Sequence, residues 1–239
     1  FSVSFSQEQY YYNVDLTLAG LQLKDALANK IISTHTNFLS YSEVWVACKN
    51  TDINPENSNE VVLVYGWEEG RDQDDTNDRT RDITLQDNGS NGSFVWNREH
   101  VYPKSLGEPN LETVGPGADA HHLRSADRTT NTSRSNKKFA EGSGNSGSVS
   151  NGWYPGDEWK GDVARMMMYM YLRYGDRCAP NNVGDGSTDM TEDNMIDLFL
   201  DWNVQDPVTQ FEKDRNTYHE NTSNSSGQGN RNPFIDNPY

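Results

Sequence analysis

The chain contains little cysteine, since only Cys48 and Cys178 occur among its 239 residues. Neither has a second cysteine nearby, and this excludes a zinc site built from paired cysteines. The two thiols could form one disulfide that closes a long loop, as in proteins of oxidising compartments, or they could be two unrelated buried thiols. Two cysteines carry too little pattern to choose between these alternatives.

Long apolar runs are also missing. No stretch approaches the ~20 apolar residues that cross a bilayer, and the apolar segment from Val163 to Tyr174 is interrupted by Arg165 and Arg173. We therefore expect no membrane partner. The chain starts at Phe1 without a signal-peptide pattern. That start fits a secreted or periplasmic bacterial protein whose signal peptide has been removed, and it equally fits a trimmed chain.

Basic residues are scarce, because 20 Lys and Arg stand against 36 Asp and Glu and give a net charge of −16. This excludes general attraction of the whole surface to nucleic acid. The segment 98–138 differs, since it holds seven basic and five acidic residues and carries a net charge of +2. A polyanion is expected to bind only there. Because few phosphates would be neutralised, activity should fall gently as salt increases.

The length fits one large domain or two small ones. No internal repeat and no clear boundary interrupts the sequence, so we predict a single domain over residues 1–239 and a monomer by default. Apolar periodicity predicts helices, and β-rich runs predict strands. The predicted helices are Leu18 to Phe38, Asp157 to Arg173, Thr191 to Trp202 and Phe211 to Tyr218, and the predicted strands are Val61 to Trp67 and Ser93 to Trp96, the latter leading into Glu99.

The adjacent pair Glu99 and His100 stands at the end of the second predicted strand, just before Val101-Tyr102-Pro103. A carboxylate and an imidazole could supply a metal ligand and a base. Neighbouring residues on a strand point to opposite faces, however, so a turn or bulge would be needed to bring both to one site. Taken alone, His100 is more often a structural histidine than a catalytic one.

A second polar segment follows about thirty residues later. Asp127 is predicted to cap a helix. Asn131, Arg134, Ser135 and Lys138 then lie at helical spacing on one face. Such a stripe packs poorly in a core and suits a phosphate or a metal ion.

His121 and His122 offer an alternative, since they could bind zinc with His100 or Glu99. Adjacent histidines rarely bind one ion together. We therefore favour the interpretation in which one packs in the core and the other forms a local hydrogen bond.

The motifs NREHVYPKS, DAHHLRSADRTTNTSRSN, GDVARMMMYMYLRYG, DPVTQFEKDRN and GNRNPFIDNP occur in this order, and together they resemble the endonuclease I family. The resemblance runs from about Tyr11 to Pro238, nearly the whole chain. It implies an α+β fold, a mostly helical mixed domain with a small ββα-metal (His-Me finger) motif. It also implies a metal-dependent nuclease that cuts DNA, and RNA as well, with little sequence preference.

Transferred residue by residue, the resemblance makes His100 the general base that takes a proton from the attacking water. Glu99 and Asn131 become the ligands of one divalent ion, Mg²⁺ before Ca²⁺ or Mn²⁺. That ion would stabilise the transition state and the departing oxygen. The second nitrogen of His100 would need an acceptor, commonly a backbone carbonyl.

The candidate phosphate-binding residues are Arg134, Arg124, Arg128 and Lys104, with Arg134 first because it lies one helical turn from Asn131. Some relatives carry an arginine between the two motifs. Residues 101–118 here contain only Lys104 as a basic residue, so the role of that arginine is not transferred. Two other functions compete with a nuclease: a nucleic-acid-binding module without catalysis, and a zinc-dependent hydrolase.

Overall fold

A computed structural model, which describes residues 9–70, 72–89, 92 and 94–237, contains helices and short antiparallel strands. The helices are α1 (Gly20–Thr34), α2 (Val44–Thr51), α3 (Arg128–Arg134), α4 (Lys160–Tyr174), α5 (Asp197–Gln205), α6 (Gln210–Glu220) and α7 (Pro233–Asp236). The strands are β1 (Ile53–Asn54), β2 (Asn57–Val62), β3 (Thr80–Asp82), β4 (Trp96–His100), β5 (Leu123–Asp127), β6 (Gly147–Val149) and β7 (Gly152–Tyr154).

The strands form small antiparallel sheets: β1-β2-β3, β4-β5 and β6-β7. Helical residues outnumber strand residues, so the α+β class predicted from the sequence is confirmed. In the described part of the chain, no helix is both long and apolar enough to cross a membrane.

Helix α4 forms the centre of the larger hydrophobic cluster, where the run Met166 to Met168 packs with residues of α5 such as Phe199 and Trp202. Arg165, which interrupts this apolar stretch in the sequence, is fully buried. Its guanidinium donates two hydrogen bonds to Glu212 of α6, at 2.6 and 2.9 Å. A buried charge is tolerated here because it is paired and hydrogen-bonded.

A second hydrophobic cluster forms around α2 and includes Trp96 of β4 and Leu123 of β5. Ala126 of β5 and Val101, just after β4, belong to the larger cluster instead. The two-stranded sheet β4-β5 is therefore anchored to both hydrophobic clusters. This anchoring fixes the end of β4, where Glu99 and His100 lie.

The predicted helices are present, but several of their limits differ. The most marked difference concerns Thr191, which was predicted to begin a helix. The helix α5 begins at Asp197, while the Thr191 hydroxyl donates to the carbonyls of Asp193 and Met195. These side-chain-to-backbone bonds favour a turn over a helix. Ser93, the predicted start of the second strand, lies outside the described residues.

The possible disulfide between Cys48 and Cys178 is not formed, and both cysteines are free and buried. The reason is their placement. Cys48 packs in the cluster around α2, whereas Cys178 packs in the cluster around α4. The alternative of two unrelated buried thiols is therefore correct.

Candidate active site

Strands β4 and β5 are followed at once by helix α3, and this strand–strand–helix unit carries the predicted site residues. Asp127 caps α3 as predicted, since its Oδ1 accepts a hydrogen bond from the Thr130 amide at 2.8 Å. The helix ends at Arg134, and Ser135 adopts a positive φ of 54°. The predicted stripe continuing to Lys138 is therefore wrong beyond Arg134.

An open cavity of about 470 Å³ lies at the end of β4. It brings Glu99, His100 and Asn131 together, as the sequence predicted. The other lining residues are Arg98, Pro103, Lys104, Ser105, Asn110, Glu112, Ser135 and Asn136.

Glu99 and His100 reach this cavity without a bulge. The β4-β5 register is regular, with Glu99 opposite Arg124 and His100 opposite Leu123. The predicted need for a bulge or turn is therefore wrong. In the described residues, β5 is the only strand partner of β4 over residues 97–100. Glu99 and His100 nevertheless both line the cavity.

The imidazole of His100 is fixed by a backbone carbonyl, since its Nε2 lies 2.8 Å from the oxygen of Gly117. A carbonyl can only accept, so Nε2 carries the proton and Nδ1 keeps its lone pair. Burial, assisted by the neighbouring His122, holds the pKa of His100 well below its ordinary value. The ring is therefore neutral at pH 7 and can accept a proton.

Close backbone packing places the acceptor for His100. A Cβ at Gly117 would lie 2.2 Å from the carbonyl oxygen of Glu112, so only glycine fits at this position. The preceding carbonyl, that of Pro116, lies 2.8 Å from Nε2 of His122. One short turn thus fixes two neighbouring histidine rings.

Tyr65 and Arg134 hold the carboxylate of Glu99. Oε1 accepts a hydrogen bond from the Tyr65 hydroxyl at 3.1 Å and lies 3.1 Å from Nη1 of Arg134. The backbone N–H of His100 also hydrogen-bonds to this carboxylate. Burial raises the pKa of Glu99 to about 7, and the nearby Arg134 acts in the opposite direction. A cation bound at this carboxylate would favour the ionised form.

Asn131 presents its amide oxygen in a similar way. Its Nδ2 donates to Oδ1 of Asn97 at 2.8 Å, and this bond fixes which end of the amide is free to accept. Glu99 and Asn131 therefore offer one carboxylate and one amide oxygen to the same cavity. Hard divalent cations such as Mg²⁺ take oxygen ligands of this kind and retain several waters.

Tyr65 is a residue that the sequence reasoning missed. It was counted only as part of a buried strand, yet it follows the end of β2 with a positive φ of 73°. This conformation is rare for a residue with a side chain and is often found near functional sites. The bond from Tyr65 to Glu99 spans 34 positions in the sequence, so no local pattern could reveal it.

The prediction that Arg134 binds phosphate is wrong. Its side chain is fully buried and donates to the carbonyls of His100 at 3.0 Å and Val101 at 2.7 Å. The guanidinium also stacks over Phe139, 4.6 Å from the ring centre. Arg134 therefore ties helix α3 to the end of β4 and to Glu99, rather than facing a substrate.

Arg124 is likewise not a phosphate ligand. It is fully buried, and its guanidinium bonds to Asp52 at 2.9 Å and Asp162 at 3.1 Å. Arg128 is partly exposed at the start of α3 and lies outside the cavity, with Nη1 3.7 Å from Asp87. Of the four predicted phosphate-binding residues, Lys104 is the one that lines the cavity.

His121 and His122 do not join His100 in a metal-binding group. The described residues contain no cluster of three or more His, Cys, Asp or Glu side chains that could hold an ion. Both histidines are buried, and Nε2 of His121 lies 3.2 Å from the carbonyl oxygen of Asn230. His122 forms the predicted local hydrogen bond, to the Pro116 carbonyl, whereas the bond of the buried His121 spans 109 positions in the sequence.

A neutral imidazole, a carboxylate and an amide around one open cavity are the components of a hydrolytic site. Comparison with known proteins agrees, because the profile of the endonuclease I family matches residues 19–239. The chain belongs to the endonuclease I family. It is therefore a nuclease and, as such, a hydrolase.

Two relatives cover most of this chain. An extracellular ribonuclease of Bacillus amyloliquefaciens is 41% identical over 95% of this chain and 75% of its own length. An extracellular ribonuclease of Bacillus subtilis strain 168 is 40% identical over 98% of this chain and 77% of its own length. At this identity, the family resemblance deduced from the motifs is confirmed.

Proposed function

We propose that this protein is a secreted, metal-dependent endonuclease that hydrolyses phosphodiester bonds in RNA and DNA with little sequence preference. The observation that carries the proposal is the meeting of Glu99, His100 and Asn131 in one open cavity. In this proposal, β4, β5 and α3 form a ββα-metal site within a single domain.

His100 acts on the attacking water. Its Nδ1 is the free acceptor, because Nε2 is engaged by the Gly117 carbonyl. A neutral imidazole takes a proton from water as the oxygen approaches phosphorus. The same carbonyl then stabilises the protonated ring, since both nitrogens of an imidazolium donate.

Glu99 and Asn131 hold the divalent ion. Their available oxygens suit a hard cation, and the donors on Glu99 Oε1 fix the direction of the carboxylate. Once bound, the ion would polarise the phosphate and stabilise the charge of the transition state. Mg²⁺ is the first choice because the site supplies few protein ligands and leaves room for water and a phosphate oxygen.

The names of the two relatives support the proposed substrate and the proposed location of this protein. Both are named as extracellular ribonucleases, and this supports RNA as a substrate and secretion as the route. DNA contains the same phosphodiester group. In this proposal His100 is a base, and Glu99 and Asn131 are cation ligands. None of these roles requires contact with a nucleobase.

Cleavage assays with and without metal test this proposal. Wild-type protein is incubated with RNA and with supercoiled plasmid in Mg²⁺ and, separately, in EDTA. We expect both substrates to be cut in Mg²⁺ and neither in EDTA. Binding without cleavage under any divalent ion would favour a non-catalytic binding module. Activity that requires tightly bound zinc and is unaffected by Mg²⁺ would favour the zinc hydrolase.

Removal of the Tyr65 hydroxyl should weaken metal binding. Tyr65→Phe deletes one of the two donors on Glu99 Oε1, and loss of such an outer contact costs about 10- to 100-fold in metal affinity. The Mg²⁺ concentration for half-maximal activity should rise accordingly, while kcat at saturating Mg²⁺ changes little. The pKa of Glu99 should rise further, so the deficit should be larger at pH 6 than at pH 8.

Tyr174→Phe is the matched control for this prediction. It removes a tyrosine hydroxyl that donates to a different buried carboxylate, Asp119, at 2.9 Å. Its Mg²⁺ requirement should stay at the wild-type level. An unchanged Mg²⁺ requirement in Tyr65→Phe would show that Tyr65 does not position Glu99.

A further inference from the structure

Arg98 differs from the buried arginines of this protein. Those arginines face carboxylates: Arg81, Arg124, Arg134, Arg165, Arg215 and Arg231. Arg98 lines the active-site cavity, and no carboxylate among the described residues forms an ion pair with it. In a chain of net charge −16, a partly buried cation without an acidic partner indicates that an anion binds there.

Two aromatic rings fix the position of the Arg98 guanidinium. Its central carbon lies 3.5 Å from the Tyr41 ring centre and 4.1 Å from the Trp45 ring centre. Nη1 donates to the backbone carbonyl of Tyr41. The Nε–H is buried and has no hydrogen-bond partner among the described residues. The side chain is thus held rigidly; the buried Nε–H does not reach a ligand, and the other guanidinium N–H groups are the donors that can bind one.

Lys104 approaches the same aromatic ring. Its Nζ lies 5.6 Å from the Tyr41 ring centre, and Lys104 lines the cavity together with Arg98. It too forms no ion pair with a carboxylate in the described part of the chain. Two cations arranged around one tyrosine can bind an oxyanion, the guanidinium through directed hydrogen bonds and the ammonium as a point charge.

The position of Arg98 relative to His100 indicates which phosphate it binds. The two residues stand two positions apart on β4 and point to the same face, so their Cα atoms are roughly 6.6 Å apart. Arg98 is therefore displaced from the reacting centre along the strand. A nucleic-acid chain that places one phosphate at His100 would place a neighbouring phosphate near Arg98.

We propose that Arg98 and Lys104, arranged around Tyr41, form a subsite for the phosphate adjacent to the one that is cleaved. This inference rests on the proposed nuclease function and adds a substrate requirement to it. The enzyme should prefer a polynucleotide over a diester with a single phosphate. Arg98 is a substrate-binding residue in this account, and Tyr41 is a positioning residue that acts through it.

Paired substrates provide the kinetic test. One is a short single-stranded oligonucleotide, and the other is bis(para-nitrophenyl) phosphate, which has no neighbouring phosphate. Arg98→Gln should raise KM for the oligonucleotide roughly tenfold, the effect of one charge-assisted hydrogen bond, with kcat little changed. Its activity on the small diester should equal that of wild type. Equal losses on both substrates, or no loss on either, would overturn the proposal.

A binding measurement tests the subsite without turnover. In the His100→Ala background, anisotropy of a labelled oligonucleotide is followed as salt increases. Arg98→Gln should weaken binding and reduce the log–log salt slope by about 0.7, the value for one phosphate contact on a single strand. Arg79→Gln is the matched control, because Arg79 lies outside this cavity beside Glu158, and it should leave the slope unchanged. An unchanged slope in Arg98→Gln would contradict the subsite.

Tyr41 variants test the positioning role. Tyr41→Phe keeps the ring and the backbone carbonyl, so oligonucleotide binding should match that of wild type. Because the Tyr41 ring also lies 5.2 Å from the His100 ring, its role is tested by binding in the His100→Ala background, where Tyr41→Leu removes the stacking surface and should reproduce part of the Arg98→Gln loss of oligonucleotide affinity. Wild-type affinity in Tyr41→Leu would rule out this role. If wild-type protein cleaves neither substrate, the nuclease proposal fails, and the binding measurement still decides on the subsite.

Discussion

Replacing His100 with alanine is expected to lower kcat for RNA cleavage by about 10²- to 10⁴-fold, the usual contribution of a general base. The reason is local. Nδ1 is the free acceptor of a neutral ring whose other nitrogen is engaged by the Gly117 carbonyl, and an alanine offers no acceptor. Single-turnover cleavage at saturating substrate and Mg²⁺ measures the chemical step directly.

A second buried histidine supplies the control. His35 is buried against Phe38, with ring centres 4.6 Å apart, and it does not line the cavity. His35→Gln should keep kcat near the wild-type value even if stability falls. A His100→Ala variant that folds and retains wild-type kcat would refute the role of His100 as the base.

Replacing Arg134 with methionine is expected to destabilise the protein by about 3–5 kcal/mol, the cost of removing one partner of a buried ion pair. Glu99 would lose its cationic neighbour, and the carbonyls of His100 and Val101 would lose their donor. Arg134→Lys should recover only part of the loss, because an ammonium cannot reproduce the planar set of bonds. Chemical denaturation measures the free energy of unfolding.

Arg128→Met is the matched control on the same helix. Arg128 is partly exposed, with Nη1 3.7 Å from an oxygen of Asp87, and an exposed ion pair contributes about 0–1 kcal/mol. The comparison separates a structural arginine from a phosphate-binding one. Wild-type stability in Arg134→Met, with a raised KM, would restore the interpretation of Arg134 as a phosphate ligand.

Local features of the fold could be predicted from the sequence. The cap at Asp127 depends on an amide three residues away, so the short pattern contains all the information. The apolar face of α4 is equally visible in the sequence. Thr191 was wrongly predicted to begin a helix, because its hydroxyl bonds to the nearby carbonyls of Asp193 and Met195. A threonine at the start of a helix and a threonine in such a turn give the same sequence pattern.

The environment of the arginines could not be predicted, because their partners are distant in the sequence. Arg124 bonds to an aspartate 72 positions away, and Arg134 to a carbonyl 34 positions away. A basic segment therefore looked like a phosphate-binding surface although two of its arginines are internal. Arg98 was not recognised as a binding residue because its aromatic neighbours are also distant in the sequence. Trp45 lies on α2, and Tyr41 lies just before that helix.

The sequence also could not show that the side chains of Glu99 and His100 reach the same cavity. Alternation along a strand places them on opposite faces, and only the sheet topology shows that the edge of β4 is unpaired by strands over residues 97–100. One side of the strand then brings Glu99 towards Tyr65 and Arg134, while the other brings His100 towards Gly117. Both residues still reach one cavity.

The central claim is a division of labour in which Glu99 and Asn131 hold the ion and His100 acts on water. Calorimetric titration of Mg²⁺ into wild type, His100→Ala and Glu99→Gln tests it most directly. We expect His100→Ala to bind Mg²⁺ with wild-type affinity while kcat falls by about 10²- to 10⁴-fold, and Glu99→Gln to lose measurable binding. Loss of Mg²⁺ binding in His100→Ala, or wild-type binding in Glu99→Gln, would contradict the account.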